Sequence, residues 1–300
     1  MIKIVKITLK ICFAFLFLFS AQNSCTKIFY YPDRKAYLSP EILGYAKKEI
    51  EFITFDTTRL YLWYIPSKKQ NPKGSILQFH GNAENMTSHF SNLVWLADEG
   101  YDLYTYDYRG YGKSEGKPDR KKIHKDSVLV LNYINQLSRN KNLKLIAYGQ
   151  SLGGIIALKA LAELEDKENL SAVVIEGSFS SYRNIARIKL SRMLFPSAGF
   201  LLSFFFSDSY SPSDEDFADI SPVPVIVFHG SRDDIVPAKL TEITFKQAKQ
   251  PKILILADQG RHMIWNRTDL NKHKKPFEKI LSAAAEGKIQ KNTEARFVFE

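Results

Sequence analysis

The chain has 300 residues, enough for one large α/β domain, and at 45% hydrophobic with 21 Phe and 15 Tyr it can bury a substantial core. Its net charge of +10 includes Lys3, Lys6 and Lys10 ahead of the first acid, Asp33, and the remaining excess is scattered apart from a mild cluster over Lys272–Lys291. With no aromatic–basic module, that pattern argues against nucleic acid and for a solvated surface that could face anionic lipid.

Three lysines followed by Ile11-Cys12-Phe13-Ala14-Phe15-Leu16-Phe17-Leu18-Phe19 read as a secretory signal, too short for a comfortable membrane span. Ser24-Cys25 then resembles a bacterial lipoprotein processing site, although Gln22 stands where an aliphatic residue is usual. The expectation is a domain exported across the cytoplasmic membrane and held there, by lipid on Cys25 or by an uncleaved signal-anchor. The only cysteines are Cys12 and Cys25, so the domain has no internal disulfide and no cysteine metal site.

Past an aromatic lead-in, Ile28–Asp33, the alternating stretches Glu49–Phe55 and Leu60–Ile65 flank Asp56-Thr57-Thr58-Arg59 and predict an antiparallel hairpin. Ser75–Phe79 is the next strand, closed by His80-Gly81-Asn82. A helix is predicted over about Ser88–Glu99, with Gly100 ending it. Tyr101–Tyr106 is a strand and Ile123–Leu137 a helix. Leu145–Tyr148 is a short apolar run of buried-strand length, and apolar periodicity from Leu152 past Leu161 is a helix. Ala172–Ile175 is a strand, followed by a long, irregular, aromatic-rich insertion to about Pro222. Strands at Val223–Phe228 and Lys252–Leu256 surround a helix at Lys239–Ala248. A last helix runs from about Leu270 to Ala285, and the polar tail beyond Gly287 is expected to be loosely held. Strand–helix alternation after an opening hairpin implies a mostly parallel sheet covered on both faces, with function at the carboxyl ends of its strands.

Between Tyr148 and Leu152 lies Gly149-Gln150-Ser151-Leu152-Gly153, a G-x-S-x-G pattern in its expected strand-to-helix setting. Such a turn must be sharp, and glycines on either side of the serine remove side chains that would meet neighbouring backbone. A serine hydroxyl needs a base, and the base an orienting carboxylate. Of the six histidines, His89, His124 and His273 fall in or near helices and are expected to be solvated. His80 and His229 close strands and suit loop bracing. His262 remains, in the loop after the last predicted strand, and Asp233 or Asp234 follows the strand before it. The order Ser151, Asp233, His262 is the nucleophile–acid–base order of the α/β-hydrolase fold.

From about Ile28 to Ala285 the chain resembles an α/β-hydrolase. Within that superfamily it is similar to compact, membrane-associated serine hydrolases, including depalmitoylating thioesterases and serine-aminopeptidase-like enzymes. The resemblance rests on His80-Gly81-Asn82-Ala83, Asp107-Tyr108-Arg109-Gly110-Tyr111-Gly112-Lys113-Ser114, Gly149–Gly154, His229–Pro237 and Gly260-Arg261-His262. It implies an eight-stranded, mostly parallel sheet in a single domain over residues 26–300 behind a leader of residues 1–25, with a short apolar lid over about 179–222. It also implies an oxyanion hole from the backbone N–H groups of Asn82 and Leu152, and it favours Asp233 over Asp234 as the acid. Asp107 and Arg109 are expected to form a structural ion pair. Arg261, where a small residue is commoner, places a positive charge beside the base.

The expected activity is cleavage of a carboxylic ester or thioester, small-molecule or lipid, through an acyl-enzyme, with neither cofactor nor metal. An aminopeptidase or amidase on the same triad, a non-catalytic ligand-binding lipoprotein, and a cofactor-free haloperoxidase or dehalogenase relative are the alternatives. The serine disfavours dehalogenation, which uses an aspartate there.

Overall fold

A computed structural model describes residues 29–263 and 273–299. The leader with Cys12 and Cys25, and the expected start of the last helix at Leu270, lie outside the described residues. The opening hairpin is β1 (Lys48–Ile53) and β2 (Arg59–Ile65), paired antiparallel. Then follow β3 (Gly74–Phe79), α1 (Met86–His89), β4 (Tyr101–Tyr106), α2 (Arg120–Asn140), β5 (Leu145–Gln150), α3 (Leu152–Ala162) and β6 (Leu170–Glu176). An insertion carries α4 (Tyr182–Met193), α5 (Pro196–Ser203) and α6 (Asp214–Ile220). The chain closes with β7 (Val225–Gly230), α7 (Ala238–Gln247), β8 (Lys252–Ala257), α8 (Lys274–Ala285) and β9 (Glu294–Phe299).

These strands form one sheet in the order β1-β2-β4-β3-β5-β6-β7-β8-β9, parallel except at the two pairings made by β2. After β3 the chain crosses to β4, then returns past β3 to β5. The sheet therefore changes direction between β3 and β5, and Asn82 and Ser151 follow the carboxyl ends of those two strands. Crevices at such switch points are where open α/β sheets bind ligands.

Alternate residues of the central strands feed two cores. Leu77 and Phe79 pack with α2 and α3 on one face, whereas Ile76, Ile146 and Tyr148 pack with Phe277 and Leu281 of α8 on the other. Burial on both faces explains why β3 to β7 read as apolar runs rather than alternating ones. Helix α3 is enclosed by the sheet and its neighbours along nearly its whole length.

Four expectations change. The polar tail is not loose: Glu294–Phe299 adds a ninth strand parallel to β8, pinned by an ion pair from Arg296 to Glu242 at 2.8 Å. The helix expected at Ser88–Glu99 breaks into α1 and two 3-10 turns, Phe90–Asn92 and Val94–Ala97. There Ser91 donates to the Ser88 carbonyl and the Trp95 indole to that of Asn92, so side chains compete for helix acceptors. The insertion is helical rather than irregular, each helix starting at a clear signal. Ser181 accepts the N–H of Asn184 ahead of α4, Pro196 opens α5, and Ser213 with Asp216 forms a capping box on α6. Finally, His89, His124 and His273 are buried, not solvated. His89 stacks against His80 with ring centroids 5.3 Å apart, and His124 faces Glu163 at 2.8 Å.

Candidate active site

Strand β5 delivers Ser151 into a turn at φ 51°, ψ −114°, a conformation that costs a residue with a Cβ about 1–3 kcal/mol. The surroundings hold it there. Its N–H donates to the Glu176 carbonyl at 2.8 Å, and its own carbonyl accepts the Ser178 hydroxyl at 2.6 Å. The glycines of the pattern are required by contact: a Cβ on Gly153 would stand 2.0 Å from the Phe79 carbonyl oxygen, and one on Gly149 2.5 Å from the Gly154 Cα. Below the turn a buried polar chain runs from Gln78 to Gln150 (2.7 Å), and from Gln150 and Tyr148 to Glu176 (2.7 and 3.0 Å). It ties β3, β5 and β6 together directly under the serine. Ser151 also precedes the first turn of α3, where unpaired backbone N–H groups favour negative charge.

The loop after β7 carries Asp233. One carboxylate oxygen accepts the N–H groups of Ile235 and Val236, both at 2.8 Å, and the other meets His262 Nδ1 at 2.7 Å. Burial raises the Asp233 carboxyl, but the hydrogen bond and charge of His262, with the Val236 N–H, outweigh it and hold the group below its usual value. An ionised carboxylate only accepts, so Nδ1 carries a proton and Nε2 is the ring atom left to act as a base. Asp234 is exposed, and among the described residues only its carbonyl is engaged, by Arg192 at 2.6 Å.

Ser151, Leu152, Asn82 and His262 line one cavity of about 300 Å³. The side chain of Asn82 accepts from the N–H groups of Tyr31 and Ala83 and from the Tyr111 hydroxyl, which fixes the loop after β3. Among the described residues the rest of the lining is largely apolar: Phe29, Tyr31, Phe179, Ile185, Ile235, Val236 and Met263, with one cation, Lys189. His80 and His229 brace loops, as expected. His80 bonds the Gly81 carbonyl, while His229 joins the Val236 carbonyl to Thr241. Arg261 is exposed and does not line the cavity.

Asp107 and Arg109 do not pair with each other. Arg109 grips Asp126 in two hydrogen bonds of 2.7 and 2.8 Å and reaches Asp56 at 3.2 Å, whereas Asp107 accepts the N–H of Met86 at 2.7 Å. Both therefore fix loops, through separate partners. Two contributors escape a sequence reading. Gly177, at φ 56°, lies beneath the imidazole, and a Cβ there would stand 3.2 Å from His262 Nδ1. Lys189 sits within a base-rich helix, and its place beside Ser151 depends on tertiary contacts. A positive-φ glycine just past a buried strand is the one local sign of the first.

The sheet order, the turn at its switch point and the loops after β7 and β8 define an α/β-hydrolase, an enzyme of the serine-hydrolase type. The chain belongs to the family described as serine aminopeptidase, S33, whose match spans residues 70–207. Among its relatives is the Escherichia coli K12 protein YfhR, 34% identical over 238 residues covering 78% of this chain and 79% of that protein. A Saccharomyces cerevisiae relative named as a membrane protein, YNL320W, is 29% identical over 54% of this chain and 60% of its own. In fold, the chain is similar to a Pyrococcus furiosus esterase, Pf2001, with a TM-score of 0.65 and 17% identity over 87% of this chain and 99% of that one.

Proposed function

We propose that the protein is a serine hydrolase that cleaves carboxylic esters or thioesters with an apolar acyl group. Ser151 attacks the acyl carbon while His262 Nε2 takes its proton, and Asp233 steadies the imidazolium that forms. The oxyanion is received by the backbone N–H groups of Asn82 and Leu152, each donor worth about a hundredfold to a thousandfold in rate. His262 returns its proton to the departing alkoxide or thiolate, and water then releases the acyl group by the same route. The observation that carries this reading is the strained Ser151 sharing one cavity with a His262 already bonded to buried Asp233.

The family description supports a second reading, an aminopeptidase or amidase on the same residues. Its difficulty is electrostatic. A free α-ammonium needs a carboxylate, yet the described lining presents Lys189 and no acidic side chain. A fluorophosphonate probe separates these possibilities, applied to wild type and Ser151→Ala with esters, thioesters and aminoacyl amides of graded chain length. Labelling and ester turnover by wild type alone supports the hydrolase. Labelling with amide turnover only supports the second reading. A folded chain with neither would leave a ligand-binding lipoprotein.

The same proposal holds the domain, residues 26–300, at a membrane on the far side of export, through the leader of residues 1–25 and lipid on Cys25 or a signal-anchor. The lid, about 179–222, supports it. Met193, Leu201 and Phe204 on α4, α5 and just beyond are 77%, 63% and 59% exposed, and the stretch 182–207 has four basic residues and no acid. An apolar face ringed by positive charge suits an anionic bilayer. The chain also enters there, since Phe29 packs edge-on against Tyr182 of α4 at 5.0 Å. Among the described residues no helix is long and apolar enough to cross a membrane.

A further inference from the structure

Four bases project from α4, and two of them, Arg183 and Arg192, make a hydrogen bond or ion pair among the described residues. Arg183 reaches Asp208 and the Phe206 carbonyl, Arg187 lies over the Phe200 ring at 4.5 Å, and Arg192 donates to the Asp234 carbonyl. Lys189 has neither a hydrogen bond nor an ion pair among the described residues and, like Arg187, lies over an aromatic ring, that of Tyr31, with Nζ 5.6 Å from the centroid; unlike exposed Arg187 it is half-buried. It is also the base that faces inward, lining the cavity beside Ser151 and His262 among side chains that are mostly apolar. Burial alone lowers its ammonium below the ordinary lysine value, with no carboxylate opposing the shift.

A half-buried cation with no counter-charge is an unfavourable element of a lid. The lid's other bases show that this stretch can satisfy such groups on carbonyls, aromatic faces and acids. Among the described residues Lys189 lacks an anion, and the space it lines is the cavity of Ser151. A ligand brought there supplies the missing charge where water is already partly excluded, so the interaction is stronger than on an open surface.

We infer that Lys189 is an anion-recognition residue of the substrate cavity, and that the substrate is an ester or thioester carrying a carboxylate or phosphate in addition to its apolar acyl group. This rests on the hydrolase reading above and narrows its substrate class. The same cation that attracts an anion would repel a free amino terminus.

Lys189 does not touch the reacting atoms, so it sets specificity rather than chemistry. The quantity to measure is the ratio of kcat/KM for an anionic ester to that for its neutral counterpart. Two matched pairs separate the sources of the anion: mono-p-nitrophenyl glutarate against p-nitrophenyl pentanoate for a carboxylate, and butyryl glycerol 3-phosphate against monobutyryl glycerol for a phosphate. Wild type is expected to prefer the anion in at least one pair by about tenfold to a hundredfold, the range of a charged hydrogen bond. The preference should vanish in Lys189→Met, which keeps the apolar stem, persist in Lys189→Arg and invert in Lys189→Glu. Binding of the same compounds to Ser151→Ala and to Ser151→Ala/Lys189→Met, by isothermal titration, reports the anion site even in a chain that cleaves no ester. Loss of the hydrolase reading would appear as absent turnover with anion binding that still depends on Lys189. The inference itself is overturned by equal handling of anionic and neutral members in both pairs, or by a preference that survives Lys189→Met in turnover and binding alike.

Discussion

Ser151→Gly should make the protein more stable than Ser151→Ala while both abolish labelling by a fluorophosphonate. Alanine removes the hydroxyl but keeps the Cβ, and with it the strain of φ 51°, ψ −114°. Glycine removes both. The strain at such a position is about 1–3 kcal/mol, and the extra freedom that glycine gives the unfolded chain offsets about 0.4–1 kcal/mol of it. The expected net difference is therefore about 1 kcal/mol in favour of glycine. In a domain of this size that corresponds to about 2–4 °C in Tm. The assay is thermal unfolding of the two variants side by side, with urea unfolding as a second measure and probe labelling as the activity control. Comparing the variants with each other cancels the hydroxyl's own hydrogen bonds and isolates the backbone. A Ser151→Gly protein melting at or below Ser151→Ala would refute the reasoning. The turn would then be an ordinary connection, not one held in a costly shape to present the serine.

Gly153→Ala should destabilise by about 3 kcal/mol or more and remove labelling, because its Cβ would meet the backbone of β3 rather than a side chain that could move; Tm and labelling read both effects. Asp233→Asn should lower kcat on the order of ten-thousandfold, by analogy with the serine-protease triad, while Asp234→Asn, altering an exposed side chain, should stay near wild type. Burial, with the His80 ring next, pushes His89 down to about 3, against about 6.5 for an unfolded histidine. The unfolded chain thus binds a proton that the folded one refuses between those values, so stability present above pH 6.5 is lost as pH falls toward 3. Asp233, also depressed in the folded state, adds to the loss below its unfolded value of about 3.9. The slope of Tm against pH between 6.5 and 4 should shrink by about one proton in His89→Gln. Leu201→Ser/Phe204→Ser should weaken binding of residues 26–300 to anionic vesicles more than tenfold in co-sedimentation, because two exposed apolar side chains leave the contact.

How much of this was legible in the sequence follows from which properties are local. Strands β3 to β8 announce themselves because each is short, apolar and bounded by glycine or a polar loop, and a buried parallel strand demands that composition. Strand β9 does not. Glu294-Ala295-Arg296-Phe297-Val298-Phe299 is a half-exposed edge, and what orders it is pairing with β8 and the reach of Arg296 to Glu242. The same distinction governs histidine. His89 and His124 stand on helical stretches rich in polar residues, and nothing beside them in sequence indicates that His80 and Glu163 will enclose them.

At the site the division is sharper. The serine turn is legible because its constraint lies within five residues, where Gly149 and Gly153 must clear backbone on either side. The choice between Asp233 and Asp234 is not settled by composition, since both are acids at the end of one strand. What distinguishes the two in the fold is where the next two peptide groups point. The N–H groups of Ile235 and Val236 both turn back onto Asp233, leaving its second oxygen for His262, while Asp234 faces solvent. A motif resemblance favours Asp233 without supplying that reason. Lys189 is the converse case. It belongs to no motif, and its significance is a difference among neighbours: on one helix, two bases are hydrogen-bonded, one is exposed over a ring, and Lys189 is half-buried and turned into the cavity. Patterns along a chain reveal what a fold needs in order to close. What a closed site still lacks becomes visible only when the partners of the charges around it have been accounted for, and among the described residues of this cavity no acid faces Lys189.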